Sequence, residues 1–153
     1  MTAGSGAPQT DDHNSHVDEL VIKCLVARCR RNAEVLNEAE AALRQEATKP
    51  EYGYYLLAAA RREPVWTSVA SAMELIQEAG SYLPTSLQTL IEQLITAGHV
   101  HLTEGHAPTA MDCHLRAYVL LHVLGFRAPH HLWRETIEGT LSSLRAMESI
   151  EAH

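Results

Sequence analysis

This sequence predicts an all-α domain of about six helices in antiparallel pairs, and three observations predict it. Apolar residues recur at spacings of three and four through most of the chain. No stretch alternates with period two for long enough to make a strand, and Pro or Gly punctuates the chain so that only short connections remain. Short connections force successive helices to run antiparallel, so the pairs form either a closed bundle or a fragment of a helical solenoid.

Residues 1–16 (MTAGSGAPQTDDHNSH) are small and polar with no apolar period, and are expected to be a disordered leader to a single helical domain over 17–153. Ser15 and Asp18 have capping-box spacing. Behind them Ile22, Leu25, Cys29, Ala33, Leu36 and Leu43 carry one stripe to Ala47, which predicts a single first helix of about 30 residues. Thr48-Lys49-Pro50-Glu51 ends that helix and starts a second, Glu51 to Arg62, bearing Tyr52, Leu56, Leu57 and Ala60, because Pro is tolerated in a first turn. Pro64 is expected to open a third helix through Val69, Met73 and Ile76, closed by Gly80 in the left-handed conformation. After a turn through Pro84, a fourth helix runs from Thr85 to near Gly105 with Leu87, Leu90, Ile91, Leu94, Ile95 and Leu102 on a broad stripe. Pro108 starts the fifth, which ends at Gly125. Pro129 starts the sixth, with Trp133, Ile137, Leu141 and Leu144 expected inward and Glu135, Glu138, Arg145 and Glu148 outward.

The 153 residues are 46% hydrophobic, which suits one core, and no run of about 18 apolar residues is present to span a bilayer. A formal net charge of −7 argues against a nucleic-acid or anionic-membrane surface, since phosphate binding rests on clustered Lys and Arg. The odd count of three cysteines, Cys24, Cys29 and Cys113, argues against a disulfide framework. With no signal-peptide pattern, the expected location is intracellular, in the cytoplasm.

Between helices four and five lies a ladder of small residues: Gly98, Ala110 and Ala117 fall where two antiparallel helices must pack backbone to backbone. Without bulky side chains there, the axes can approach to about 8 Å. Residues 91–124 resemble a tetratricopeptide (TPR) unit: Leu94 takes the place of the usual Trp, Gly98 matches the glycine of the first helix, and Ala110 and Ala117 match the alanines of the second. The departures are His101 and His114 at the two aromatic positions and His122 in place of the closing Pro. A shift of about 34 residues puts Pro64 or Leu132 at the glycine position, so the strict repeat period is absent. The resemblance implies a TPR-like stack of helix pairs with a concave groove for a partner protein. The order of a long first helix, two such pairs and a final helix is also similar to the cytosolic domain of the mitochondrial fission adaptor family, without that family's C-terminal membrane tail after Ser149.

Ten histidines invite a metal hypothesis, densest at His99, His101, His106, Cys113 and His114. His99 and His101 point about 200° apart on a helix, and Cys113 and His114 about 100° apart, so a site would have to be assembled across helices. His114 at its TPR-like position is expected to be a buried packing residue with a neighbour on its ring nitrogen. No nucleophile elbow and no phosphate loop occur, and neither a cofactor nor an enzymatic activity is expected. Tyr52, Tyr54 and Tyr55 cover about 300° of one helix, so at least one is exposed. The reading these residues favour is a non-enzymatic adaptor that holds a protein or peptide segment in the groove, with Tyr52, Tyr55, Leu56, His101 and Arg116 as contacts. A self-associating structural subunit and a metal-binding sensor or enzyme built on the His99–His114 cluster are the alternatives.

Overall fold

The computed structural model describes residues 6–151, with side-chain surroundings over 12–149, and every regular element among them is helical. Seven α-helices follow in order: α1 (Gly6–Cys29), α2 (Ala33–Glu46), α3 (Lys49–Trp66), α4 (Val69–Ala79), α5 (Leu87–Thr103), α6 (Ala107–Leu124) and, after a 3-10 turn at Gly125–Arg127, α7 (His130–Glu151). No helix among the described residues is long and apolar enough to cross a membrane.

The helices pack as successive hairpins, α1 on α2, α3 on α4 and α5 on α6, with α7 closing against α6. Each hairpin touches only the next: α3 meets α1 and α2 on one side and α5 on the other, and α5 meets α4 and α7. Among the described residues no helix packing joins α1 or α2 to α5, α6 or α7, so the molecule is an open, layered stack and not a closed bundle. Two cores fill it. One gathers Cys24, Leu43, Tyr52, Tyr55 and Leu56 between the first two hairpins, and the other gathers Ile91, Ile95, Ala117, Leu121 and Leu132 between α5, α6 and α7. Helix α5 belongs to both, because Ala97 and Val100 face the first core while Ile91 and Ile95 face the second.

Four boundaries differ from the sequence expectation, each for a local reason. The expected leader lies outside the described residues over 1–5, but Gly6–His16 belong to α1, so Ser15 sits inside a helix and caps nothing. The single long first helix is two. Arg31 adopts φ 55°, and Asn32 caps α2 by accepting from the Val35 amide at 3.2 Å, while the apolar spacing runs on unbroken across the joint. Pro64 lies in the last turn of α3 and does not open the next helix; Ser68 does, its hydroxyl accepting from the Ser71 amide at 3.0 Å. Gly80 is right-handed at φ −59°, and the left-handed glycines are Gly105 and Gly125. The expected start at Thr48 holds, with a full capping box: the Thr48 amide donates to Glu51 at 2.8 Å, and the Glu51 amide donates to the Thr48 hydroxyl at 3.3 Å.

The register of α7 is the largest correction. Its buried face is Leu132, Thr136 and Ser143, at 1%, 0% and 0% exposure, whereas Ile137, Leu141 and Leu144, expected inward, stand 45%, 44% and 42% exposed. Close approach to α6 selects the small face for the inside, and the bulky one is turned out. The Thr136 hydroxyl is buried with no hydrogen-bond partner, so Thr136→Val should raise stability by about 1 kcal/mol in urea unfolding. A change within about 0.5 kcal/mol of zero, as at a solvated position, contradicts this register.

Candidate functional site

A groove runs along one side of the stack. Its floor is α5 and its walls are α3 and α7, which do not pack on each other. One half, about 330 Å³, is lined by Tyr54, Arg61 and Arg62 from α3, Glu92 and Thr96 from α5, and His131 and Glu135 from α7, among others. The other half, about 320 Å³, adds His99, His114, Glu138 and Ser142. Arg61 and Glu135 line both halves and strap the walls together, with Nη1 donating to Oε1 at 3.1 Å. Leu57, Ile95 and Leu132 give the groove an apolar base beneath a rim of both charge signs. Tyr54 reaches across to Glu92 at 3.4 Å, and Gln88 donates to the same carboxylate at 3.1 Å. Helical backbone carries every one of these rim side chains, so their spacing is fixed by helix geometry and not by loops.

One end of the groove rests on His114. This α6 side chain is 2% exposed and lies between the backbones of α5 and α7. A Cβ added at Gly98 would lie 2.6 Å from its Nε2, and one at Gly139 would lie 2.6 Å from both ring nitrogens. Two glycines thus make the slot that the imidazole fills. Its Nδ1 has no hydrogen-bond partner, unlike the satisfied nitrogen expected from sequence. Burial lowers the His114 pKa, with the neighbouring His99 and Arg61 adding to the effect. Burial also lowers that of His99, helped by Arg61 and Arg62 and opposed by Glu135.

The residues singled out from sequence are not brought together. Tyr52, Tyr55 and Leu56 are 2%, 2% and 0% exposed and cannot meet a partner. Their positions on α3 face the first core because the exposed third of that helix is taken by Tyr54, the tyrosine that the groove uses. The Tyr55 hydroxyl serves an internal network: it receives a hydrogen bond from Arg28 Nε at 2.8 Å and donates to Glu40 at 2.7 Å, while Arg28 Nη2 donates to Glu40 at 2.7 Å. Burial first, then the Glu40 charge, pushes the nearby Cys24 thiol up to about 11 and the Tyr52 hydroxyl up to about 12, so neither ionises near neutral pH. His101 lies at the end of α5, its ring 6.3 Å from that of His106 and away from the groove; burial lowers its pKa, with His106 contributing. Arg116 is solvent-exposed on α6, paired with Asp112 at 3.0 Å, and lines a separate depression with Leu90 and Leu94.

The five residues of the metal alternative do not converge. His99 and His114 share the groove, His101 and His106 stack elsewhere, and burial raises the Cys113 pKa. Among the described residues no group of three or more His, Cys, Asp or Glu side chains is placed to hold a metal ion. The groove residues missed from sequence, Arg61, Arg62, Glu92, His131 and Glu135, were legible only as polar helix faces. Nothing in their spacing reveals that three such faces line one trough. Comparison of the chain with known protein families, curated proteins and solved structures finds no match.

The pH dependence of stability follows from three partly or fully desolvated imidazoles. His99, His101 and His114 are all lowered from 6.5, so the unfolded chain takes up protons first. Their contribution is complete above about pH 6.5 and is lost as the pH falls below it. The urea midpoint should therefore drop between about pH 7.5 and 5.5, and drop less in His114→Leu. A midpoint that rises on acidification, or a drop identical in the variant, contradicts the placement of His114.

Proposed function

We propose that this chain is a non-enzymatic adaptor whose α3–α5–α7 groove holds an extended or helical segment of another protein. The observation that carries this reading is the groove itself, with an apolar base, a charged rim of both signs, and walls whose helices do not pack on each other but are bridged by the Arg61–Glu135 pair. An apolar centre ringed by polar groups is the anatomy of a protein contact surface, in which the centre supplies affinity and the rim supplies orientation. The half-buried pair across the mouth is worth about 1 kcal/mol, so an incoming segment can displace it at little cost. Tyr54 is the aromatic anchor of this surface, and Arg62, Glu92, His99, His131 and Glu138 are rim groups without an ion pair among the described residues.

The neighbour-only packing of hairpins supports the TPR-like interpretation, in which alternate helices line the inner face of the stack. Under it, α3, α5 and α7 are those inner helices.

Peptides selected from a display library against the full chain provide the test. Tyr54→Ala with Arg62→Glu should weaken their binding at least about tenfold, which corresponds to about 1.4 kcal/mol, while Arg116→Glu should leave it unchanged. Peptides that bind the groove double variant as tightly as the parent, or that lose affinity with Arg116→Glu, would count against the groove.

A further inference from the structure

On the outer side of α7 the polarity of the helix is reversed. Ile137, Leu141 and Leu144 form a bare stripe, and Leu115 and Tyr118 of α6, 46% and 38% exposed, widen it. A shallow depression of about 320 Å³ lies between the two helices over these residues. A solvated helix turns such residues inward, so this stripe is a face that awaits a cover.

The charges that flank the stripe identify the cover. Arg134, Glu138, Arg145 and Glu148 are all exposed, and among the described residues none of them is held in an ion pair. Counted from Leu141, they fall at −7 (Arg), −3 (Glu), +4 (Arg) and +7 (Glu). Reversing the direction of the helix therefore exchanges the signs. A second α7 laid antiparallel and crossing at Leu141 sets Arg134 level with Glu148 of the second copy, and brings Glu138 to its Arg145 and Ile137 to its Leu144 with an offset of one residue, about 1.5 Å of helical rise. Each pairing occurs twice, as a two-fold axis requires. A parallel arrangement would set each of the four against its own like charge, so the pattern selects the antiparallel one.

We propose that the α6–α7 face is the interface of a symmetric dimer of this chain, with the two α7 helices antiparallel across Leu141. The face is separate from the floor of the groove and shares with it only the rim residue Glu138, so both grooves stay open in the dimer. The proposal stands independently of what the groove binds.

Sedimentation velocity on the full chain at about 1 to 100 μM tests it, a range that spans the dissociation constants of ordinary dimers. The expected species is twice the 16.9 kDa chain mass. Leu141→Asp should leave only monomer. Arg134→Glu and Glu148→Arg should each weaken dimerisation at least about tenfold, because each creates two like-charged pairs. Mixed in equal amounts, these two variants should form a heterodimer of near-parental affinity, since both contacts are then opposite in sign. That rescue also shows each variant to be folded. A monomeric parent at the highest concentration, a dimer indifferent to Arg134→Glu, or a mixture no tighter than its components overturns the proposal. In the first case the face belongs to a different protein.

Discussion

The structure depends on three helix backbones converging on one imidazole. His114 fills a slot that exists only because α5 and α7 each present a glycine to it, and Ala110 and Ala117, both fully buried on α6, let the same helices close in above and below. Glycine inside a helix costs about 0.5–1 kcal/mol against alanine, so two of them facing one ring mark a position where close approach outweighs propensity. The ring does so with one nitrogen unsatisfied, a further cost that packing on both faces has to offset.

From that constraint the outer features follow. Because α7 must lie close to α6, it turns Thr136, Gly139 and Ser143 inward and carries its bulky residues on the outside. Because α5 is held from both sides by small contacts, it sits low between α3 and α7 and becomes the floor of a trough whose walls are bridged by the Arg61–Glu135 pair. The groove and the bare α7 face are thus two consequences of a single packing decision, one toward α3 and one away from it. The first two hairpins are organised differently, by the partly buried Arg28–Tyr55–Glu40 network, and contribute Tyr54, Arg61 and Arg62 to the groove from the far side of α3.

The helical class and most of the elements were legible in the sequence because capping residues and apolar spacing are local signals. The start at Thr48 and the limits of the last three helices were read this way, whereas Gly98, expected to meet the α6 backbone, faces the His114 ring. The break at Arg31 was not, since the apolar spacing continues through it and only Asn32 marks the turn. The register of α7 failed for a related reason. Apolar periodicity identifies the larger hydrophobic face and assumes that this face is buried, whereas here a tertiary requirement for small residues overrides it. The groove tyrosine was misassigned among three adjacent candidates, because a helix with an exposure conflict reveals that one must be out but not which. The assembly of Arg61, His99 and Glu135 into one site needs three helices placed together, and no spacing within the chain encodes it.

The most direct measurement of the central clasp is a double-mutant cycle between Gly98 and His114, read by urea unfolding. In the parent, Gly98→Ala gains about 1 kcal/mol of helix propensity but overpacks the ring at a cost of about 1–3 kcal/mol, so the net effect should be destabilising. In a His114→Ala background the ring is gone and the same substitution should stabilise by up to about 1 kcal/mol. That reversal of sign is the result expected if helix packing around this imidazole sets the architecture. Additive effects, with Gly98→Ala acting alike in both backgrounds, would contradict it.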